Sequence, residues 1–219
     1  MGTKVPKQFL TLGGLPVIVH TLRALEAADD IVEIILAVPD AEREYCRQAI
    51  VESHRLSKVA RIVAGGEERQ DSVRCALAAV SAGVEFVLVH DAVRPFVTTA
   101  MVRRVLDAAA VHGAAVVAIP MKDTVKQVGG DGLIERTVDR SGLWLAQTPQ
   151  AFRRALFEEA HRQALAAGFR GTDDTQLVEQ LGRPVAVVEG SGDNIKITRP
   201  EDFVIGEALL AERRNAGRS

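Results

Sequence analysis

The chain has 219 residues, 47% hydrophobic and 26% charged, which suffices for one large domain or two small ones. Its net charge of -2 gives no general pull toward nucleic acid or an anionic membrane, and no apolar run approaches the roughly 20 residues of a membrane span. The N-terminal stretch lacks the apolar core of a signal peptide, and Cys46 and Cys75 sit in helical patterns without metal spacing, as expected of reduced cysteines in a cytoplasmic protein.

Met1 to Leu12 reads as short, basic and turn-like, with Lys4 and Lys7 flanking Pro6. Gly13-Gly14 is a turn, and Pro16 suits the first turn of a helix over 16–27, whose Ile18, Leu22 and Leu25 share a face. Val32 to Val38 is a strand, Ala41 to Ser53 a helix, and Val59 to Ala64 a second strand ended by Gly65-Gly66. After the charged loop Glu67 to Asp71, a helix follows, capped by Asp71 or Ser72. Phe86 to His90 is apolar and β-rich, a strand buried on both faces, and it ends at Asp91 with Arg94 and Pro95 in the turn. Thr98 or Thr99 caps the next helix, Gly113 ends it, and Ala114 to Ile119 is another buried strand. This alternation predicts an α/β fold: a Rossmann-like, mostly parallel sheet with helices on both faces and right-handed crossovers.

Residues 122–148 break the pattern. They alternate polar and apolar residues around Gly129-Gly130-Asp131-Gly132, which predicts a protruding β-hairpin. Such an arm either lies free on the surface or grips a partner subunit. Helices are then expected over 149–167 and 173–181, the latter capped by Thr172 or Asp173. A strand over 184–188, an extended piece over 194–198 and a helix opened by Pro200 complete the chain, a single domain over 1–219 with 122–148 as its arm.

The conspicuous polar groups lie in loops: Lys7, Gly65-Gly66, Ser72, Asp91, Arg94, Arg140, Thr148, Thr172 and Lys196. In an open parallel sheet, ligands bind beyond the carboxyl ends of strands, where Asp91 and Arg94 fall. Lys7, Arg140 and Lys196 suit a phosphorylated ligand, because fixed cations stabilise charge developing on a transferring phosphate. Asp91 is able to hold Mg²⁺ or ribose hydroxyls. Each residue alone has a plainer reading: an Asp-turn, a solvated lysine, a glycine turn. No Walker loop, G-x-G-x-x-G, catalytic triad or zinc cluster stands out.

Together, V-P-K-Q-F (5–9), G-G-x-E-R-x-D-S-V (65–73), V-H-D-A-V-R-P (89–95), K-D-T-V-K (122–126), T-V-D-R-S-G-L-W-x-A-Q-T-P-Q (137–150), T-D-D (172–174) and G-x-x-D-N-I-K-I-T-R-P-E-D (190–202) resemble the 2-C-methyl-D-erythritol 4-phosphate cytidylyltransferase family, in that family's order from end to end. The resemblance implies transfer of CMP from CTP to methylerythritol phosphate, with release of pyrophosphate, in non-mevalonate isoprenoid biosynthesis. It implies Mg²⁺ on the triphosphate and catalysis by positioning and charge. By the same resemblance Lys7 steadies the α-phosphate. Gly66, Glu67 and Ser72 form the nucleotide loop, and Asp91 and Ala92 are ribose-side contacts, with Asp91 also facing the metal. Arg94, Thr148, Thr172 and Lys196 form the sugar-phosphate pocket, Lys196 holding the attacking phosphate. Thr124 and Arg140 complete the partner's site across a homodimer.

The chain departs from the family pattern at two places. Glu67 stands where the family often has Asp. Met1-Gly2 aligns with the end of the family's Gly-rich loop, so the loop and the strand before it have no counterpart here. That strand is usually central, and its loss is expected to expose its neighbours' edges and leave the 219-residue chain a poor catalyst. Two other functions share part of the pattern: the ribitol-5-phosphate cytidylyltransferase relative, and a non-catalytic nucleotide-binding dimer scaffold.

Overall fold

The structure, a computed structural model, describes residues 6–216; Lys4 and Val5 lie outside them. Lys7–Phe9 form a 3-10 turn. Strands β1 (Thr11–Leu12) and β2 (Leu15–Pro16) make a small hairpin around Gly13 and Gly14, both at positive φ. Helix α1 (Val17–Glu26) buries Ile18, Leu22 and Leu25, the stripe its spacing predicts. Strand β3 (Ile34–Val38) pairs in parallel with β4 (Val59–Ala64). Between them α2 (Arg43–Tyr45) runs into a π-helical turn over Cys46–Glu52. Cys46 is buried and free, and burial pushes its thiol up to about 11.

Helix α3 (Arg69–Ala78) leads to β5 (Phe86–Val89). Helix α4 (Thr99–His112) is capped by the Thr98 hydroxyl, which accepts from the Met101 amide, and ends at Gly113 in the left-handed conformation. It delivers β6 (Ala114–Pro120). Strands β7 (Val125–Val128) and β8 (Ile134–Val138) form the exposed hairpin. Then come β9 (Trp144–Arg153), α5 (Arg154–Ala167), α6 (Thr175–Gln180), β10 (Ala186–Glu189) and α7 (Pro200–Ala216). No described helix is long and apolar enough to cross a membrane.

The main sheet has the order β10-β6-β9-β5. Strand β10 runs parallel to β6, whereas β9 runs antiparallel to both of its neighbours, β6 and β5. One strand therefore opposes an otherwise parallel set, and the fold is α/β as expected. The predicted helix start at residue 149 is corrected: Pro149–Arg153 belong to β9, and α5 begins at Arg154. Residues 147–152 are buried without a break, and so short a buried run carries no periodicity to separate strand from helix. The arm is shorter for the same reason, because 144–148 enter the sheet. Pro149 falls where the β6–β9 register shifts, between Val116 and Ala118, a place that tolerates a missing donor.

Strands β3 and β5 do not pair. Their edges face one another across a cavity of about 780 Å³ lined by Ile34–Ala37 and Phe86–Val89. Glu33 accepts from the amide and hydroxyl of Ser81, which brings the N-terminal ends of the two strands together. Their C-terminal ends, Val38 and Asp91, line one smaller cavity, so the strands point the same way. All four residues of β5 are half-buried, which corrects the expectation that it is buried on both faces.

Candidate active site

The register of β5 against β9 builds the site. Val89 lies opposite Gln150, which puts Asp91 opposite Thr148. There the Asp91 amide donates to the Thr148 hydroxyl at 3.0 Å. The turn closes as the Arg94 amide donates to the Asp91 carbonyl. On the other side, the segment after β10 crosses the same edge. The Ile197 amide donates to the Val93 carbonyl at 2.8 Å, and the Ile197 side chain is fully buried. In extended backbone neighbouring side chains face opposite ways, so burying Ile197 turns Lys196 outward onto Asp91.

Asp91 is thereby surrounded by cations. Lys196 Nζ lies 3.1 Å and Arg94 Nε 3.3 Å from Oδ2, and Arg69 Nε lies 3.6 Å from Oδ1. Burial pushes the Asp91 carboxyl up, but Lys196, Arg69 and Arg94 outweigh it and hold the carboxyl below the usual range. Arg94 also donates to the Asn194 carbonyl at 2.8 Å. The fully buried Asn194 in turn donates to Thr148 O and Gln147 Oε1. Next to Asp91, His90 is pushed down to about 4 by burial and stays neutral.

A cavity of about 230 Å³ opens beside this cluster, lined by Lys7, Asp91, Ala92 and Lys196 together with the end of β3. It brings two lysines from opposite ends of the chain to one carboxylate. The Ala92 carbonyl is tied to helix α1 by the Thr21 hydroxyl at 2.8 Å.

The loop Gly65–Glu68 leaves β4 at the same sheet edge. The predicted cap at Asp71 or Ser72 is corrected: α3 starts at Arg69, with Glu68 in the N-cap position. Ser72 instead reaches back, its hydroxyl accepting from Gly66 N at 3.1 Å and donating to Glu68 O. The tight fold requires both glycines. A Cβ on Gly66 would stand 2.3 Å from Asp71 Cβ, and one on Gly65 2.7 Å from Ser72 Oγ. Glu67 is exposed.

Thr172 lies on another loop, its amide donating to Gln176 Oε1, and none of its described contacts reaches Asp91. Asp173, rather than Thr172, closes the start of α6 by accepting from the Gln176 amide at 3.0 Å. Thr124 and Arg140 sit exposed on the arm, where the Arg140 guanidinium donates to the Lys122 carbonyl. No described contact links either residue to Asp91 of the same chain. Sequence reasoning passed over Arg69, Asn194, Gln147 and Gln150. The signal for Arg69 was present inside G-G-x-E-R-x-D-S-V; the buried amides carried none.

The family profile described as "IspD: 2-C-methyl-D-erythritol 4-phosphate cytidylyltransferase" matches residues 1–212. The chain is 49% identical over 214 residues to the 2-C-methyl-D-erythritol 4-phosphate cytidylyltransferase of Pelotomaculum thermopropionicum, covering 98% of this chain and 90% of the relative. It is 50% identical over 210 residues to that of Syntrophus aciditrophicus, covering 96% and 90%. Among solved structures, the 2-C-methyl-D-erythritol 4-phosphate cytidylyltransferase of Thermus thermophilus superposes with a TM-score of 0.81 at 41% identity, over 94% of each chain. The 4-diphosphocytidyl-2C-methyl-D-erythritol synthase of Anaerococcus prevotii gives 0.85 at 33% identity, over 96% of this chain and 92% of that one. With profile, sequence and fold in agreement over nearly its whole length, the chain belongs to the 2-C-methyl-D-erythritol 4-phosphate cytidylyltransferase family.

Proposed function

We propose that the Asp91 edge transfers CMP from CTP to 2-C-methyl-D-erythritol 4-phosphate, giving CDP-methylerythritol and pyrophosphate for isoprenoid biosynthesis. The observation that carries this is the convergence of Lys7, Lys196 and Asp91 on one cavity, beside the glycine loop. A phosphate oxygen of the sugar phosphate attacks the α-phosphorus. One P–O bond forms, the bond to the β-phosphate oxygen breaks, and its electron pair leaves on pyrophosphate. Such a transfer needs alignment and fixed positive charge more than a protein nucleophile. Lys7 steadies the α-phosphate, Lys196 and Arg94 hold the attacking phosphate, and Thr148 and Thr172 shape its pocket. Gly66, Glu67 and Ser72 take the nucleotide base side, and Asp91 and Ala92 the ribose side.

Asp91 is the one carboxylate among the described residues lining the cavity, and no described group of three or more His, Cys, Asp or Glu forms a cage. This donor set suits Mg²⁺ in its usual nucleotide mode, held by one or two carboxylates with substrate phosphates and water completing the shell. Bound there, the ion would neutralise triphosphate charge. Asp91 is the residue that would hold it, while its cationic neighbours keep the carboxylate ionised.

The arm belongs to the same proposal. Val128, Leu133, Ile134, Leu143, Trp144 and Leu145 are exposed on or beside it, an apolar set that supports burial against a second copy. Thr124 and Arg140 then complete the partner's site. The direct test is pyrophosphate release from CTP with methylerythritol 4-phosphate, ribitol 5-phosphate or neither. Turnover specific to methylerythritol phosphate is expected. Turnover with ribitol phosphate alone, or nucleotide binding without pyrophosphate release, would contradict the proposal.

A further inference from the structure

A closed circuit of polar contacts runs behind the Asp91 edge, and one residue joins its halves. Strand β9 supplies both ends. Thr148 receives the Asp91 amide. Two residues on, Gln150, 1% exposed, accepts from the Asp174 amide at 3.2 Å and donates to Asp173 Oδ2 at 3.0 Å. Asp174 is itself 1% exposed, and its carboxylate lies 2.6 Å from Arg69 Nη2. The other side of the same guanidinium, Nε, lies 3.6 Å from Asp91 Oδ1. Arg69 therefore spans two acids that no described side-chain contact otherwise joins, one at the end of β5 and one at the start of α6.

The two ends of this bridge differ. Burial pushes the Asp174 carboxyl up despite Arg69, so this acid is a costly group to leave alone. It anchors the guanidinium, and Gln150 anchors the backbone that carries it. At the other end the contact with Asp91 is longer and lies on Oδ1, which leaves Oδ2 to Lys196 and Arg94. The nucleotide loop does not depend on the Arg69 side chain, since it is held by Ser72.

We infer that Arg69 is a positioning residue for the transfer: anchored on buried Asp174, it fixes the orientation of the Asp91 carboxylate, and through Oδ2 the places of Lys196 and Arg94 around the sugar phosphate. The inference rests on the reaction proposed above and adds residues to it. A flat, five-donor guanidinium can face two carboxylates at once, and a lysine ammonium at this position reaches one.

The test separates positioning from mere stability. Arg69→Met leaves Asp174 buried without its cation, so it lowers both stability and turnover. Adding Asp174→Asn removes the stranded charge, so R69M/D174N recovers thermal stability toward wild type. Its turnover stays about tenfold or more below wild type, the usual size of an alignment loss. KM for the sugar phosphate rises in the double variant, and KM for CTP rises less, through the ribose-side contact of Asp91 alone, because the loop is intact; Arg69→Lys, which keeps the Asp174 pair, falls between wild type and R69M in turnover. Recovery of wild-type turnover along with stability would show a structural role and overturn the inference, as would a rise confined to KM for CTP. Wild-type protein that turns over neither sugar phosphate would overturn the proposed reaction, and this inference with it.

Discussion

The Asp91 edge and the β7–β8 arm are both polar, yet they are built in opposite ways. At the edge the side chains are tied to segments distant in sequence: Asp91 to Lys196 and Arg69, Arg94 to Asn194, and Asn194 to Thr148. In the arm, polar groups bond within the hairpin itself, as Lys126 does to Thr137 and Arg136 to Gln127. The edge is closed by tertiary contacts, whereas the arm is satisfied locally and leaves its apolar residues to solvent. A segment of the second kind takes these polar contacts from itself and keeps its apolar side chains exposed.

Four substitutions probe this contrast, from the strongest effect to the weakest. Asp91→Asn keeps the shape but removes the charge that gathers Lys196, Arg94 and Arg69. Turnover should fall by roughly 10²–10³-fold, the scale of losing one preorganised electrostatic element, with the fold retained by circular dichroism. A loss below tenfold would make the edge far less tightly coupled than its contacts suggest.

The second probe is acid stability. His161 packs edge-on against Phe157, and burial pushes it down to about 4. The unfolded chain binds that proton near pH 6.5 and the folded chain does not, so this contribution is complete above pH 6.5 and is lost as the pH falls toward 4. Urea denaturation at pH 7.5 and 4.5 should show about 2–3 kcal/mol more loss in wild type than in His161→Phe. Equal losses would place the imidazole in contact with water.

Third, Gly66→Ala forces a Cβ to within 2.3 Å of Asp71 Cβ. The loop must shift, and KM for CTP should rise about tenfold, which is about 1.4 kcal/mol; KM for the sugar phosphate should barely move. Equal rises in both would tie the loop to the whole edge. Fourth, Trp144→Ser trims the apolar base of the arm. Sedimentation should show dimer dissociation shifted a few-fold toward monomer, the size of removing one aromatic from an interface rim, and an unchanged equilibrium would free the arm for another role.

The α/β alternation was legible because apolar runs and turn residues mark each element. Thr98 and Gly113 signalled their helix ends through side-chain and backbone chemistry local to them. Strand β9 was not legible. Its buried stretch is short and contains Gln147, Thr148 and Gln150, polar residues whose partners come from distant segments. Single residues of the site were visible as loop polar groups, and the family resemblance gave them roles. Their convergence was not visible, because it depends on the register that sets Asp91 opposite Thr148 and on the buried Ile197 that turns Lys196 outward. Arg69 was overlooked inside a quoted motif, because its two acids lie 22 and 105 residues away in sequence.

The central claim is that the edge of one protomer and the arm of its partner make one site. Mixing two inactive variants tests it, with Asp91→Asn in one chain and Arg140→Ala in the other. A hybrid dimer would carry one site with both wild-type residues and one with neither. The account predicts that exchange of subunits restores pyrophosphate release to about a quarter of the wild-type rate, as random pairing of equal amounts makes half the dimers hybrid. If the mixture stays as inactive as its parts while hybrid dimers are demonstrably present, Arg140 serves its own protomer or none, and the shared site is wrong.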